Sequence, residues 1–171
     1  PTLVPAKRLI ANVEGAMNAV LVKGDAVGAT LYYGKGAGAE PTASAVIADL
    51  VDVARAATVD PDNRVPHLAF QPDQLPDLPI LPITEAETAY YLRLRVEDKP
   101  GVLADVTRIL ADQHISIDAM LQREPEEGEA QTDIIILTHL TIEKNMNAAI
   151  AKIESLDAVT GKVVRLRLEN L

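Results

Sequence analysis

Cysteine is absent from the 171 residues, which rules out a disulfide framework and thiolate-bound metal and fits a reducing compartment. Histidine is scarce, and His67, His114 and His139 have no metal-ligand spacing, so no metal site is expected. No apolar run reaches transmembrane length and no signal-peptide pattern appears, so the sequence reads as a soluble, cytoplasmic protein with no membrane partner. An excess of positive charge is missing too: the formal charge is −9, which disfavours nucleic acid as a partner. There is no serine-nucleophile motif. Lys7, Lys23 and Lys35 read as surface lysines, and no residue is assigned a catalytic role.

What the chain does have is unevenly placed. Basic against acidic groups number five to five over residues 1–57, one to six over 58–89 and ten to fourteen over 90–171. The middle segment also holds Pro61, Pro66, Pro72, Pro76, Pro79 and Pro82, six of the eleven prolines, and so reads as an extended, semi-rigid acidic connector between two small domains. Its Leu68, Phe70, Leu75, Leu78, Ile80, Leu81 and Ile83 are too apolar for a free linker, which predicts that it lies across a neighbouring surface.

Residues 90–171 follow the order strand, helix, strand, strand, helix, strand. Tyr90, Leu92, Leu94 and Val96 alternate with Tyr91, Arg93, Arg95 and Glu97, the period of a half-buried strand. The period then changes, and Val102, Leu103, Val106, Ile109 and Leu110 recur on one helical face. Between the two lies Asp98-Lys99-Pro100-Gly101: Pro100 presets a helix start and Gly101 leaves that start open, so unpaired amides face the loop and suit a small carboxylate. A strand from Ser116 to Leu121, a charged turn over 125–129 and a β-branched strand over 132–138 come next. Met146, Ala149, Ile150, Ile153 and Leu156 mark a second helix that stops near Gly161, and residues 163–168 close the sheet. The fold class is therefore α+β, with a ferredoxin-like βαββαβ domain. If the helices cover Leu92, Leu94, Leu166 and Leu168, the opposite face carries Arg93, Arg95, Arg165 and Arg167, and part of it should be covered by another domain or subunit.

Residues 1–57 make an incomplete α/β segment of two strands (18–22 and 29–33) and a helix from Pro41 to Ala56. Two strands are not stable alone in water, and the chain opens at Pro1 with no leading element, so this part reads as a piece of something larger. Gly34, Gly36 and Gly38 lack the spacing of a dinucleotide fingerprint and the Lys-Ser/Thr ending of a phosphate loop, yet such alternation implies that another surface approaches this backbone closely.

Two resemblances add to this reading. Pro1-Thr2-Leu3-Val4-Pro5, residues 9–19 and Tyr33-Gly34-Lys35-Gly36-Ala37-Gly38-Ala39-Glu40-Pro41-Thr42-Ala43-Ser44-Ala45-Val46 resemble the C-terminal end of homoserine dehydrogenase. The resemblance implies that the strands finish a substrate and dimerisation sheet, that the helix returns to the nucleotide domain, and that Gly36, Ala37 and Gly38 touch an NAD(P) cofactor held mainly by residues preceding this sequence. Residues 90–171 resemble the ACT domain, through Asp98-Lys99-Pro100-Gly101-Val102-Leu103-Ala104 and Ile115-Ser116-Ile117. That likeness implies an amino-acid effector, most plausibly threonine, held where two ACT domains meet by Asp98 and Ser116 with the backbone of Gly101, Val102 and Leu103. Many relatives carry asparagine where Ser116 stands. Together they imply a homo-oligomeric homoserine dehydrogenase under feedback control, of which this part alone is not catalytic; the alternative is a non-enzymatic ACT sensing or oligomerisation module.

Overall fold

The computed structural model describes residues 1–59, 69–125 and 128–169. His67 and Leu68, and two acids of the charged turn, lie outside the described residues. The chain divides into two compact units, residues 1–5 with 80–171, and residues 6–79.

In the first unit, β1 (Thr2–Leu3), β4 (Glu87–Glu97), β5 (Ile117–Gln122), β6 (Gln131–Thr138), β7 (Thr141–Ile142) and β8 (Val159–Leu168) form one sheet, with α2 (Val102–Asp112) and α3 (Glu143–Ile153) packed on one face. The strand order is β1-β8-β4-β6-β5, with β7 pairing to the start of β4. The βαββαβ order is as expected, and the two-residue strands β1 and β7 are additions too short to read from a period. The core takes the alternate residues Tyr90, Leu92, Leu94 and Val96 of β4, Ile134 and Ile136 of β6, Val106 and Leu110 of α2, and Met146, Ala149 and Ile153 of α3. Burial of the valine, leucine, isoleucine and methionine side chains among these, each worth about 1.5–3 kcal/mol, is what holds the layers together.

The last strand departs from the expected phase. Leu92 stands opposite Arg165 and Tyr90 opposite Arg167, so both arginines share the helix-covered face. Leu166 and Leu168 pair with Tyr91 and Ala89 and lie with Arg93 and Arg95 on the face without helices. The expected row of four arginines is thus two pairs on opposite faces. Residues 163–168 carry apolar side chains in both phases, so alternation alone could not choose. The inward acid Glu143 decides; the two extra residues on β8 between its pairings with Arg95 and Arg93, an even number, form a bulge that leaves the phase unchanged. Gly161, in this bulge at φ +75°, is therefore inside the strand and does not end α3, which stops at Ile153. Glu154 fixes the bulge, accepting from the Val163 N–H at 2.9 Å and from Lys162 Nζ at 2.6 Å; Lys162 and the amide hold its carboxyl below the usual range.

In the second unit, β2 (Met17–Gly24) and β3 (Gly28–Lys35) form an antiparallel ribbon and α1 (Ala39–Ala57) follows the glycine turn. Both faces of the ribbon are apolar. Val20 pairs with Tyr32 and Leu21 with Leu31, and Val20, Val22, Tyr32 and Tyr33 are exposed. On α1, Val46, Ile47, Leu50 and Val53 are exposed too. The connector differs from expectation: Phe70, Leu75, Leu78, Ile80, Leu81 and Ile83 are exposed, with Ile80 at 93 %. Its end is tied down where the Ala86 carbonyl accepts the Glu143 N–H at 2.9 Å at the start of α3.

Candidate functional site

The loop from β4 to α2 is built by the switch from strand to helix. Pro100 cannot continue the strand ladder, and Gly101 takes φ +96°, a left-handed conformation that costs a side-chain-bearing residue about 1 kcal/mol or more. Gly101 caps α2 without a side-chain acceptor; the Asp105 N–H bonds the Gly101 carbonyl, and the Leu103 and Ala104 amides have no backbone acceptor. The loop is clamped on the sheet side: the Asp98 N–H donates to the Ala130 carbonyl at 3.0 Å, and Gln122 Nε2 donates to Asp98 Oδ1 at 3.4 Å. Val102 is buried in the core and Leu103 half-buried beside it, and the Val102 N–H donates to the Lys99 carbonyl at 3.4 Å, so of these two expected backbone donors Leu103 is the one left open. Gln122 is a neighbour that sequence reasoning did not single out, because nothing local marks a strand-end glutamine.

Ser116 is elsewhere. Strands β4 and β5 are each antiparallel to β6 and so run the same way, which puts Asp98 beyond the end of β4 and Ser116 before the start of β5. The six residues of β5 separate the two levels by about 20 Å. No free amino acid spans that distance within one chain. β5 is an edge strand of the sheet, and residues 118–122 are exposed.

The glycine turn, in the other unit, joins β3 to α1. Gly38 caps the helix at φ +124° with its carbonyl accepting the Thr42 N–H at 3.1 Å, and a Cβ there would press on Pro41 Cδ at 3.3 Å. Gly36 precedes it, and Asn18 of β2 lies over it. A shallow trough of about 300 Å³ beside the turn is floored by Gly34 and Gly36 and flanked by Asn18, Val20 and Tyr32. At Gly34, where nothing lies within 4 Å of an added Cβ, that floor is bare backbone and leaves room for a flat ring.

A further cluster was not foreseen. Tyr90, buried in β4, donates its hydroxyl to Glu143 Oε2 at 2.6 Å; Arg167 Nη2 reaches the same oxygen at 2.8 Å and Arg165 Nη1 reaches Oε1 at 3.1 Å. Arg165 also bonds Asn147 Oδ1 and stacks 6.0 Å from the Tyr90 ring centroid. Burial and the adjacent carboxylate push the Tyr90 hydroxyl up to about 12. Burial raises the Glu143 carboxyl, but the Tyr90 hydroxyl and the two arginines outweigh it and hold it below the ordinary range. The legible signal was Tyr90 itself, since a buried tyrosine needs a partner for its hydroxyl.

Among the described residues no His, Asp or Glu cluster could hold a metal, and no helix is long and apolar enough to cross a membrane. His139 stands 4.0 Å from Asp118, and His114 takes φ +58° just past α2.

Comparison with known proteins bears on both units. Residues 1–51 match the homoserine dehydrogenase family and residues 90–158 the ACT domain family. Homoserine dehydrogenase of Methylobacillus glycogenes is 64 % identical over the whole chain, which covers 40 % of that protein, and that of Pseudomonas aeruginosa is 61 % identical with 39 % covered. The crystal structure of a homoserine dehydrogenase from Thiobacillus denitrificans superposes with a TM-score of 0.86 at 73 % identity, over 99 % of this chain and 38 % of that one. The chain thus spans about two fifths of the length of the relatives it matches. It belongs to the homoserine dehydrogenase family, as the C-terminal part that carries an ACT domain.

Proposed function

We propose that this chain is the effector-sensing part of an NAD(P)-dependent dehydrogenase that interconverts L-homoserine and L-aspartate 4-semialdehyde in the biosynthesis of threonine, methionine and isoleucine. The relatives' names supply the enzyme class. The cofactor, when bound, accepts or donates the hydride. Gly36, Ala37 and Gly38 meet it at the turn before α1, while its main binding surface and the catalytic groups belong to the remainder of the enzyme. The residues here contribute no general base, and alone they do not turn over substrate. The ribbon β2–β3, apolar on both faces, needs further strands, which favours its place in a larger dehydrogenase sheet shared between subunits.

For regulation, the carrying observation is that Asp98 and Ser116 stand at opposite ends of the open edge strand β5. Two copies related by a two-fold axis and paired edge to edge along β5 bring the Asp98 loop of one against Ser116 of the other. An amino acid fits there with its carboxylate on the Leu103 and Ala104 amides and its ammonium on Asp98. Threonine, whose hydroxyl can meet Ser116, is the effector of this reading. Binding across the interface favours the assembly that holds it, and the dehydrogenase shifts with that population.

The test is homoserine oxidation by the full-length enzyme with threonine, isoleucine, methionine and serine, alongside calorimetric titration of each. Inhibition with heat of binding for threonine is expected. Absence of both effects for all four amino acids would remove the regulatory assignment. A purely non-enzymatic sensor is the second reading; it leaves the ribbon and glycine turn of the other unit without a use.

A further inference from the structure

Gly36 is a glycine for want of space. Its φ lies outside the left-handed region, but a Cβ built on it would stand 2.9 Å from Asn18 Cγ and closer still to Nδ2. The neighbouring Gly34, directly across the ribbon from Asn18, has nothing within 4 Å of the same position. Asn18 is also out of pattern. It shares a face of β2 with Val20 and Val22, where apolar side chains recur, and asparagine is a poor strand former. Its Nδ2 makes one long bond, 3.4 Å to the Ala16 carbonyl, too weak to explain the residue. The carboxamide lies over Gly36 at the head of the trough floored by Gly34 and Gly36.

We propose that Asn18 is a positioning residue of the dehydrogenase: its carboxamide, seated in the space a Cβ on Gly36 would fill, sets the path of Gly36-Ala37-Gly38 against the nicotinamide cofactor. The inference rests on the reading that this turn faces the cofactor. Glycine at 36 and asparagine at 18 then act as one device, since a methyl at 36 evicts the flexible carboxamide and leaves the fold in place. Removing the carboxamide has the same consequence from the other side.

The experiment is a double-mutant cycle in the full-length enzyme, with Gly36→Ala, Asn18→Ala and both together, titrated with NADH and NADPH and assayed for the KM of homoserine. Each single substitution should weaken the preferred dinucleotide about fivefold, the scale of one misplaced polar contact. The pair should be no worse than either alone, because each removes the same interaction. The homoserine KM should hold, and thermal unfolding of Asn18→Ala should stay near the parent. Losses that multiply in the pair, or an Asn18→Ala enzyme with unchanged dinucleotide affinity, would overturn the proposal. Gly38→Ala separates the two levels of inference. If it weakens the dinucleotide while Asn18→Ala does not, Asn18 is the failure; if it too has no effect, the cofactor-facing turn is.

Discussion

The Tyr90 hydroxyl donates to Glu143 at 2.6 Å, joining the central strand of the sheet to the first turn of α3 through one buried carboxylate. Two arginines on the next strand close on that carboxylate. Glu143→Ala strips the counterion from both and the acceptor from the tyrosine. Because the arginine side chains keep about a third of their surface in water, the loss should be about 2–3 kcal/mol, below the full cost of breaking a buried pair. Tyr90→Phe removes one hydrogen bond and should cost about 1 kcal/mol. Urea unfolding of the two variants beside the parent measures both, and equal losses would contradict this ordering.

The same cluster sets two arms of a pH profile. The Tyr90 hydroxyl is raised from 10.0 to about 12, so its contribution to stability is whole below pH 10 and is lost as pH rises from 10 through about 12. Glu143 is depressed below its ordinary 4.5, so its contribution is present above that value and is lost as pH falls through the folded-state value. Tyr90→Phe should flatten the alkaline arm and Glu143→Gln the acid arm. Melting temperature against pH for the three proteins is the measurement.

A composite effector site makes a prediction that a site within one chain does not. Asp98→Ala and Ser116→Ala should each abolish inhibition by threonine. When the two variants are co-assembled, one of the two composite sites in a mixed pair keeps both Asp98 and Ser116, so part of the response should return. Were Asp98 and Ser116 used within one chain, no mixed assembly would recover. Inhibition curves of co-expressed, differently tagged subunits distinguish these outcomes.

Gly101→Ala tests the loop itself. At φ +96° an alanine is strained by about 1 kcal/mol, and the backbone should relax toward negative φ, turning the Leu103 and Ala104 amides away. Threonine affinity should fall several-fold while uninhibited turnover is unchanged. Unaltered affinity would show that these amides do not hold the effector.

Much of the sheet-forming unit was legible because its strands and helices carry clean periods. β4 alternates over its whole length, and α2 repeats its apolar residues at three and four, so core and element order followed. The phase of β8 did not, because Val163, Val164, Leu166 and Leu168 place apolar groups on both faces and the deciding partner, Glu143, stands at the far end of the preceding helix. The loop between β4 and α2 was readable from Pro100 and Gly101, but the distance between Asp98 and Ser116 is a matter of strand direction, which no local pattern carries. Asn18 was overlooked for a similar reason: only the register of β2 on β3 lays it over Gly36.

Leu3 pairs in parallel with Leu168, and the Glu169 N–H donates to the Leu3 carbonyl, so the first residues of the chain shield the outer side of β8. A gene fragment cut at the connector would deliver a module with that rim bare, beside an already open β5. Stretches of unclaimed backbone on both flanks invite chain-to-chain ladders and precipitation. Anyone expressing the ACT domain by itself should therefore graft residues 1–5 back, for instance by circular permutation after Glu169, or expect inclusion bodies.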